Sequence, residues 1–137
     1  MASNVFVVGR QRAVVNYALQ RRALLAEVAN GRRASSEACD AHPYLLLAAT
    51  HYGEPSRDPC PVCDRRHQRL VHYVYGPALG KAAGQAKSVT ELNQLDREYD
   101  EFDVYVVEVC PDCKWNHLVR TFVLGQAGTG SLDAAEG

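Results

Sequence analysis

The sequence predicts an α+β fold in which N-terminal helices pack on a small antiparallel β-sheet that carries one inserted helix. Three observations predict it. Residues 11–29 are rich in Ala, Leu and Arg, which are strong helix formers. Residues 68–75, 104–109 and 118–124 are β-branched, aromatic or alternating, as strands are. Between the first two of these lies Ser88-Val89-Thr90-Glu91, a capping box in which Ser at the cap and Glu three residues on open a helix.

Residues 1–9 read as a frayed start. One long helix is expected over residues 11–29, stopped by Asn30-Gly31, two residue types that tolerate the left-handed conformation of a helix end. At about 100° per residue, Val14, Tyr17, Ala18, Leu24, Leu25 and Val28 share one face. Ser35 or Ser36 caps a second helical piece, and Pro43 interrupts it or opens a new helix at its first turn. From Pro43 to Tyr52 the run Tyr44-Leu45-Leu46-Leu47-Ala48-Ala49 is apolar almost all round, so this helix is expected to be buried. Residues 53–59 read as a polar loop and 76–87 as a Gly/Ala-rich loop. The capped helix turns Leu92, Leu95, Tyr99 and Phe102 to one side. The expected division is a helical region at 10–55, a β domain at 56–125 with its inserted helix at 88–99, and a disordered tail at 126–137.

A chain of 137 residues suits one domain, or one small domain with an appendage. No apolar run approaches the roughly 20 residues of a membrane span. Val5-Phe6-Val7-Val8 is too short for the core of an export signal and has no basic stretch before it. No membrane partner is therefore expected, and a cytoplasmic location is. The net charge of −1 conceals an asymmetry. Residues 1–34 carry Arg10, Arg12, Arg21, Arg22, Arg32 and Arg33 against Glu27 alone. Residues 88–113 carry eight acids against Arg97. Such polarity fits a basic face for a phosphate or acidic partner, or two regions that attract each other within the fold.

Two turns of one form, Cys60-Pro61-Val62-Cys63 and Cys110-Pro111-Asp112-Cys113, hold four of the five cysteines. Paired thiols two residues apart, repeated once, make the ligand set of a tetrahedral four-cysteine zinc site. Each C-P-x-C turn aims two sulfurs at one point, and the following backbone N–H groups can hydrogen-bond the thiolates. A strand follows the first turn and strands flank the second, so the β domain reads as a three-stranded zinc ribbon. The 46 residues between the pairs exceed the usual interval of about 15–20, and the inserted helix accounts for the excess. Four thiolates fill the shell and leave no open position for water, so the one Zn2+ ion is expected to be structural. The alternatives are disulfides, which the missing export signal disfavours, and iron. Against iron, Asp64 and Lys114 stand where rubredoxin-like knuckles usually carry Gly. The sequence has no H-E-x-x-H or H-x-E motif, and Gly76, Gly80 and Gly84 are not followed by the G-K-[ST] of a phosphate loop. The β part is expected to unfold without its metal.

Arg65, Arg66 and Arg69 project from the first knuckle, and Lys114-Trp115-Asn116-His117 from the second. Zinc would bring the two segments side by side. Trp115 either covers the metal and packs on the helices, or stacks on a base or anchors in a protein groove. Arg21 either snorkels from the apolar face of its helix or, with Arg22, meets a carboxylate or phosphate of a partner. Cys39, in Cys39-Asp40-Ala41-His42, is a small buried residue or a reactive thiol. His51, His67, His72 and His117 are scattered and read as surface or strand-packing residues.

Several stretches resemble a small actinobacterial family of unknown function with a zinc-ribbon-like core. They are residues 12–19 with Arg21-Arg22, the segment from Cys39 to Leu46, the Cys60 knuckle, and residues 106–125 with Cys110, Cys113, Trp115, Asn116 and His117. The resemblance covers roughly residues 10–125. It implies a cytoplasmic protein of high-GC Gram-positive bacteria and brings no activity with it. The leading expectation is a non-enzymatic module docking on RNA polymerase or the ribosome through Arg65, Arg66, Arg69, Trp115 and His117, helped by Arg21 and Arg22. The alternatives are direct nucleic-acid binding, whose affinity would fall steeply with salt, and a thiol redox protein or enzyme using Cys39.

Overall fold

The computed structural model describes residues 10–127. The expected frayed start at 1–9 and the tail from residue 128 on lie outside the described residues. The order is β1 (Arg12–Asn16), α1 (Ala18–Ala29), α2 (Ser35–Ala38), α3 (Pro43–Tyr52), β2 (Glu54–Pro59), β3 (His67–Tyr75), a 3-10 segment (Pro77–Ala82), β4 (Ala86–Lys87), α4 (Val89–Glu98), β5 (Phe102–Val109) and β6 (Asn116–Leu124). The α+β class is borne out: helices pack on one six-stranded antiparallel sheet ordered β1-β6-β5-β3-β2, with β4 pairing further along β3.

Three strands more than the ribbon required are present, and each has a physical reason. Residues 12–16 of the expected long helix are β1, which pairs with β6 across a bulge between Arg12 and Val15. The β-branched pair Val14-Val15 suits a strand, and cross-strand pairing overrides a modest helix preference. Asn16 then ends the strand and starts the helix, its Oδ1 accepting the Ala18 N–H at 2.7 Å. β2 replaces the expected loop at 53–59. It is polar and contains Pro55 and Pro59, which confine it to a sheet edge, and its pairing with β3 is irregular between them. β4 is two residues long and sits within the Gly/Ala-rich segment. The capping box forms as expected: Glu91 N–H donates to Ser88 Oγ at 3.2 Å, and Ser88 N–H to Glu91 Oε1 at 2.9 Å.

The core divides by sheet face. Side chains alternate along a strand, so Val74, Val104, Val106, Phe122 and Leu124 meet Leu92 of α4 and Leu79. Val71 and Val109 meet Ala49 of α3 and Ala41. The expectation of a buried α3 is corrected: Tyr44 is 77 % and Leu47 56 % exposed, because α3 lies on the sheet by one face only. α1 has no buried residue. Its Leu24, Leu25 and Val28, three of the residues assigned to its apolar face, pack on a third cluster at the knuckle end. Gly125 takes φ +119°, where a Cβ would strike the Asp100 carbonyl, and its N–H reaches the buried Asp96 Oδ1 at 2.8 Å.

Candidate metal centre

The two knuckles join β2 to β3 and β5 to β6, one at the end of each hairpin. β3 starts beside the end of β5, with Arg69 opposite Val109, so the chain that leaves the first knuckle along β3 returns along β5 to the second. The long interval between the cysteine pairs is this outward and return path, with α4 inserted in it.

Both turns close alike. Asp64 N–H donates to the Cys60 carbonyl at 3.0 Å, and Cys60 N–H to the Arg66 carbonyl at 2.8 Å. Lys114 N–H donates to the Cys110 carbonyl at 2.9 Å, and Cys110 N–H to the Trp115 carbonyl at 2.8 Å. Asp64 (φ +57°) and Lys114 (φ +73°) take the left-handed conformation that glycine would adopt without steric cost.

The turns bring the Sγ atoms of Cys60, Cys63, Cys110 and Cys113 within 4.8 Å of one another. Cys60 Sγ lies 3.5 Å from Cys113 Sγ, and Cys63 Sγ 3.7 Å from Cys110 Sγ. A tetrahedron with metal–sulfur bonds of about 2.3 Å has edges of about 3.8 Å, so the four sulfurs are spaced as a metal ion would hold them. Backbone N–H groups of Val62, Cys63, Arg65 and Cys113 point at the sulfurs at 3.4–3.5 Å, as the knuckle reading expected.

Electrostatics agrees with a cation at this point. Burial pushes the Cys60 and Cys110 thiols up and lifts Cys113 to about 12. Cys63 is lowered to about 6, chiefly by the Arg65 backbone N–H. Thiols packed this closely hold most of their protons near neutral pH unless a positive charge replaces them, and a dication does so. Four cysteines are thus positioned to bind one metal ion.

A fifth thiol stands beside them. Cys39 follows α2, and its Sγ–H donates to Cys113 Sγ at 3.6 Å. Burial raises this thiol too.

Trp115 is fully buried in the cluster around Cys60 and Cys110. Its Nε1–H donates to Glu108 Oε2 at 2.6 Å, and its ring stacks on His117 at a centroid distance of 5.9 Å. Arg21 Nε donates to the same Glu108 oxygen at 2.7 Å. Arg65 pairs with Asp112 at 3.2 Å, tying one knuckle to the other. Arg69 donates to the carbonyls of Ala49 and Gly53, both at 2.7 Å. Arg66 is exposed, and Arg22 is exposed beside a groove of about 460 Å³ formed by Leu25, Ala26, Val28, Ala29, Pro61 and Val62. The sheet therefore unites the knuckles with Arg21 and Trp115, and it turns Trp115, Arg21 and Arg69 inward while leaving Arg22, Arg65 and Arg66 exposed.

Sequence reasoning missed Glu108 as the hub of this arrangement. The available signal was alternation: Phe102, Val104, Val106 and Glu108 lie on one face, so an acid there needed a partner. Nothing in sequence spacing placed Cys39 at Cys113.

The chain is 51 % identical to the uncharacterized protein Rv0049 of Mycobacterium tuberculosis and to the uncharacterized protein Mb0050 of Mycobacterium bovis, over 113 residues and 82 % of each chain. No solved structure matches it. Mycobacteria are actinobacteria, in keeping with the resemblance noted in the sequence. The model of a family of unknown function, DUF5318, matches residues 8–136, and this chain belongs to that family.

Proposed function

We propose that the chain is a zinc-stabilised docking module without catalytic activity, its one Zn2+ held by Cys60, Cys63, Cys110 and Cys113. The observation that carries this reading is the closure of four sulfurs to within 4.8 Å. An all-thiolate tetrahedron leaves no position for a reacting water and makes the ion a weak Lewis acid. Its role is to fasten two hairpins and the helix resting on them. Metal analysis of the purified protein is expected to find one zinc per chain, and loss of it in Cys60→Ser and Cys110→Ser. Bound iron, or no metal in the folded protein, would overturn the assignment.

The partner we propose is a protein component of a nucleic-acid machine, RNA polymerase or the ribosome. Support for docking comes from the surface that internal contacts leave over. The apolar groove between α1 and Pro61-Val62 carries Arg22 at its side, and Arg66 extends from the same knuckle. Apolar contact with free guanidinium groups suits an acidic segment carrying apolar side chains. Because Trp115, Arg69 and Arg21 are engaged within the fold, Arg65 pairs with Asp112 and His117 stacks on Trp115, the contact set narrows to Arg22, Arg66 and the groove. Crosslinking in living cells followed by mass spectrometry is expected to recover polymerase or ribosomal proteins, with recovery lost in Arg22→Glu/Arg66→Glu. Recovery of neither class by the wild-type protein would sink the proposal.

A further inference from the structure

We propose that Cys39 and Cys113 form a peroxide-responsive pair whose oxidation to a disulfide opens the four-sulfur site and releases its zinc. This rests on the zinc reading above. Four cysteines complete the tetrahedron, so Cys39 is not needed as a ligand, yet its sulfur sits 3.6 Å from one of the four and donates its S–H to it.

The placement is built rather than incidental. Cys39 N–H donates to the Ser35 carbonyl at 2.8 Å, closing α2 behind it. Ala41 N–H donates to the Lys114 carbonyl at 3.0 Å, and Asn116 Nδ2 to Asp40 Oδ1 at 3.0 Å. Two bonds to the second knuckle thus fix the segment that presents Cys39, and Ala38 is buried in the same cluster as Trp115. Access follows the same geometry. Cys60 and Cys110 are sealed, with 1 % and 0 % exposure, whereas Cys39, Cys63 and Cys113 are partly exposed. Of the two ligands open to a small oxidant, Cys113 has the Cys39 sulfur beside it at 3.6 Å to resolve it.

The chemistry balances with hydrogen peroxide as the oxidant. The Cys113 thiolate attacks one peroxide oxygen, the O–O bond breaks, and the departing hydroxide takes the Cys39 proton to become water. Cys113 is then a sulfenic acid. The Cys39 thiolate attacks its sulfur, the S–S bond forms, the S–O bond breaks, and the second hydroxide leaves as water on taking a proton from solvent. Two sulfurs have lost two electrons and peroxide has gained them. The ion is left with three thiolates and a weaker site.

The test uses the full-length zinc-loaded protein and its Cys39→Ser variant, with metal content measured first. Hydrogen peroxide is added, zinc release is followed with a chromogenic chelator, and disulfides are mapped by mass spectrometry. In the wild type, release is expected together with a peptide linking Cys39 to Cys113, and dithiothreitol with added zinc restores binding. In Cys39→Ser that linkage and the thiol-reversible release are lost, while the initial zinc content is unchanged. Wild-type release with bonds only among Cys60, Cys63, Cys110 and Cys113, or equal reversible release in the variant, would overturn the pair and leave the zinc site standing. Absence of zinc at the outset would remove both readings. The disulfide map of the wild type decides the pairing even if the variant folds poorly.

Discussion

Glu108 shows how one residue can set the fate of several others. It is 5 % exposed on an apolar strand, and one of its oxygens accepts both the Trp115 indole N–H and the Arg21 guanidinium. A buried carboxylate is tolerated when it is paired and hydrogen-bonded. Removing it leaves an indole N–H and a cation without their acceptor, so Glu108→Leu is expected to cost about 3 kcal/mol in urea unfolding of the metal-loaded protein. Glu108→Gln, which keeps one acceptor oxygen, should lose less. His72 offers a second test on the same sheet face. Its ring is buried opposite Val106, its Nδ1 has no hydrogen-bond partner, and burial, then the charge of Arg120, lowers it to about 4. An unfolded histidine titrates near 6.5. Between these values the unfolded chain binds a proton that the folded one does not, so stability falls as pH drops from about 6.5 to about 4 and this contribution flattens below. The span corresponds to about 3 kcal/mol. His72→Leu should remove that slope, read as the difference between the two unfolding curves, since loss of metal in acid affects both proteins alike.

At the scale of elements, Arg69 illustrates a contact that sequence cannot reveal. It leaves β3 and donates to the Ala49 and Gly53 carbonyls at the end of α3; the Ala49 carbonyl also accepts the Gly53 N–H, so Arg69 fastens the last turn of the helix to the sheet. Arg69→Ala is expected to cost about 2 kcal/mol and to loosen α3 selectively, seen as faster hydrogen exchange at residues 43–52. Unchanged exchange there would show that Ala49 and its neighbours hold the helix unaided. The elements legible in the sequence were those whose signals are local. The capping box of α4, the β-branched runs of β3, β5 and β6, and the paired cysteines each declare themselves within about ten residues. β1, β2 and β4 were not legible because each is a strand by virtue of its neighbour: Val14-Val15 needs β6, and the proline-bearing 54–59 segment needs the edge of β3. The metal ligands were legible because their chemistry requires fixed spacing. The neighbours of the site were not, since Arg21, Glu108 and Cys39 meet only once the sheet has formed.

Across the whole molecule, the three apolar clusters differ in how far they depend on the metal. The cluster built on Leu92, Phe102, Val104, Phe122 and Leu124 contains no cysteine. The cluster holding α1 and α2 consists of Ala38, Trp115 and the metal-site cysteines, with Leu24, Leu25 and Val28 laid over them. Structural zinc contributes an apparent 10–16 kcal/mol in small finger peptides, roughly the whole stability of an ordinary domain, but such peptides have almost no core without it. Here the α4 side of the sheet buries its side chains with no cysteine among them, and α1 has no buried residue of its own to hold it in place. Chelation at neutral pH is therefore expected to release the knuckle end first. Amide exchange should rise strongly in α1, α2 and residues 60–66 and 110–115, and far less at 102–106 and 120–124. Equal loss of protection along all of these segments would mean that the metal holds the entire sheet and that the α4 cluster cannot fold alone. Retained protection in α1 would mean that the Arg21–Glu108 pair, rather than the metal, anchors the helix.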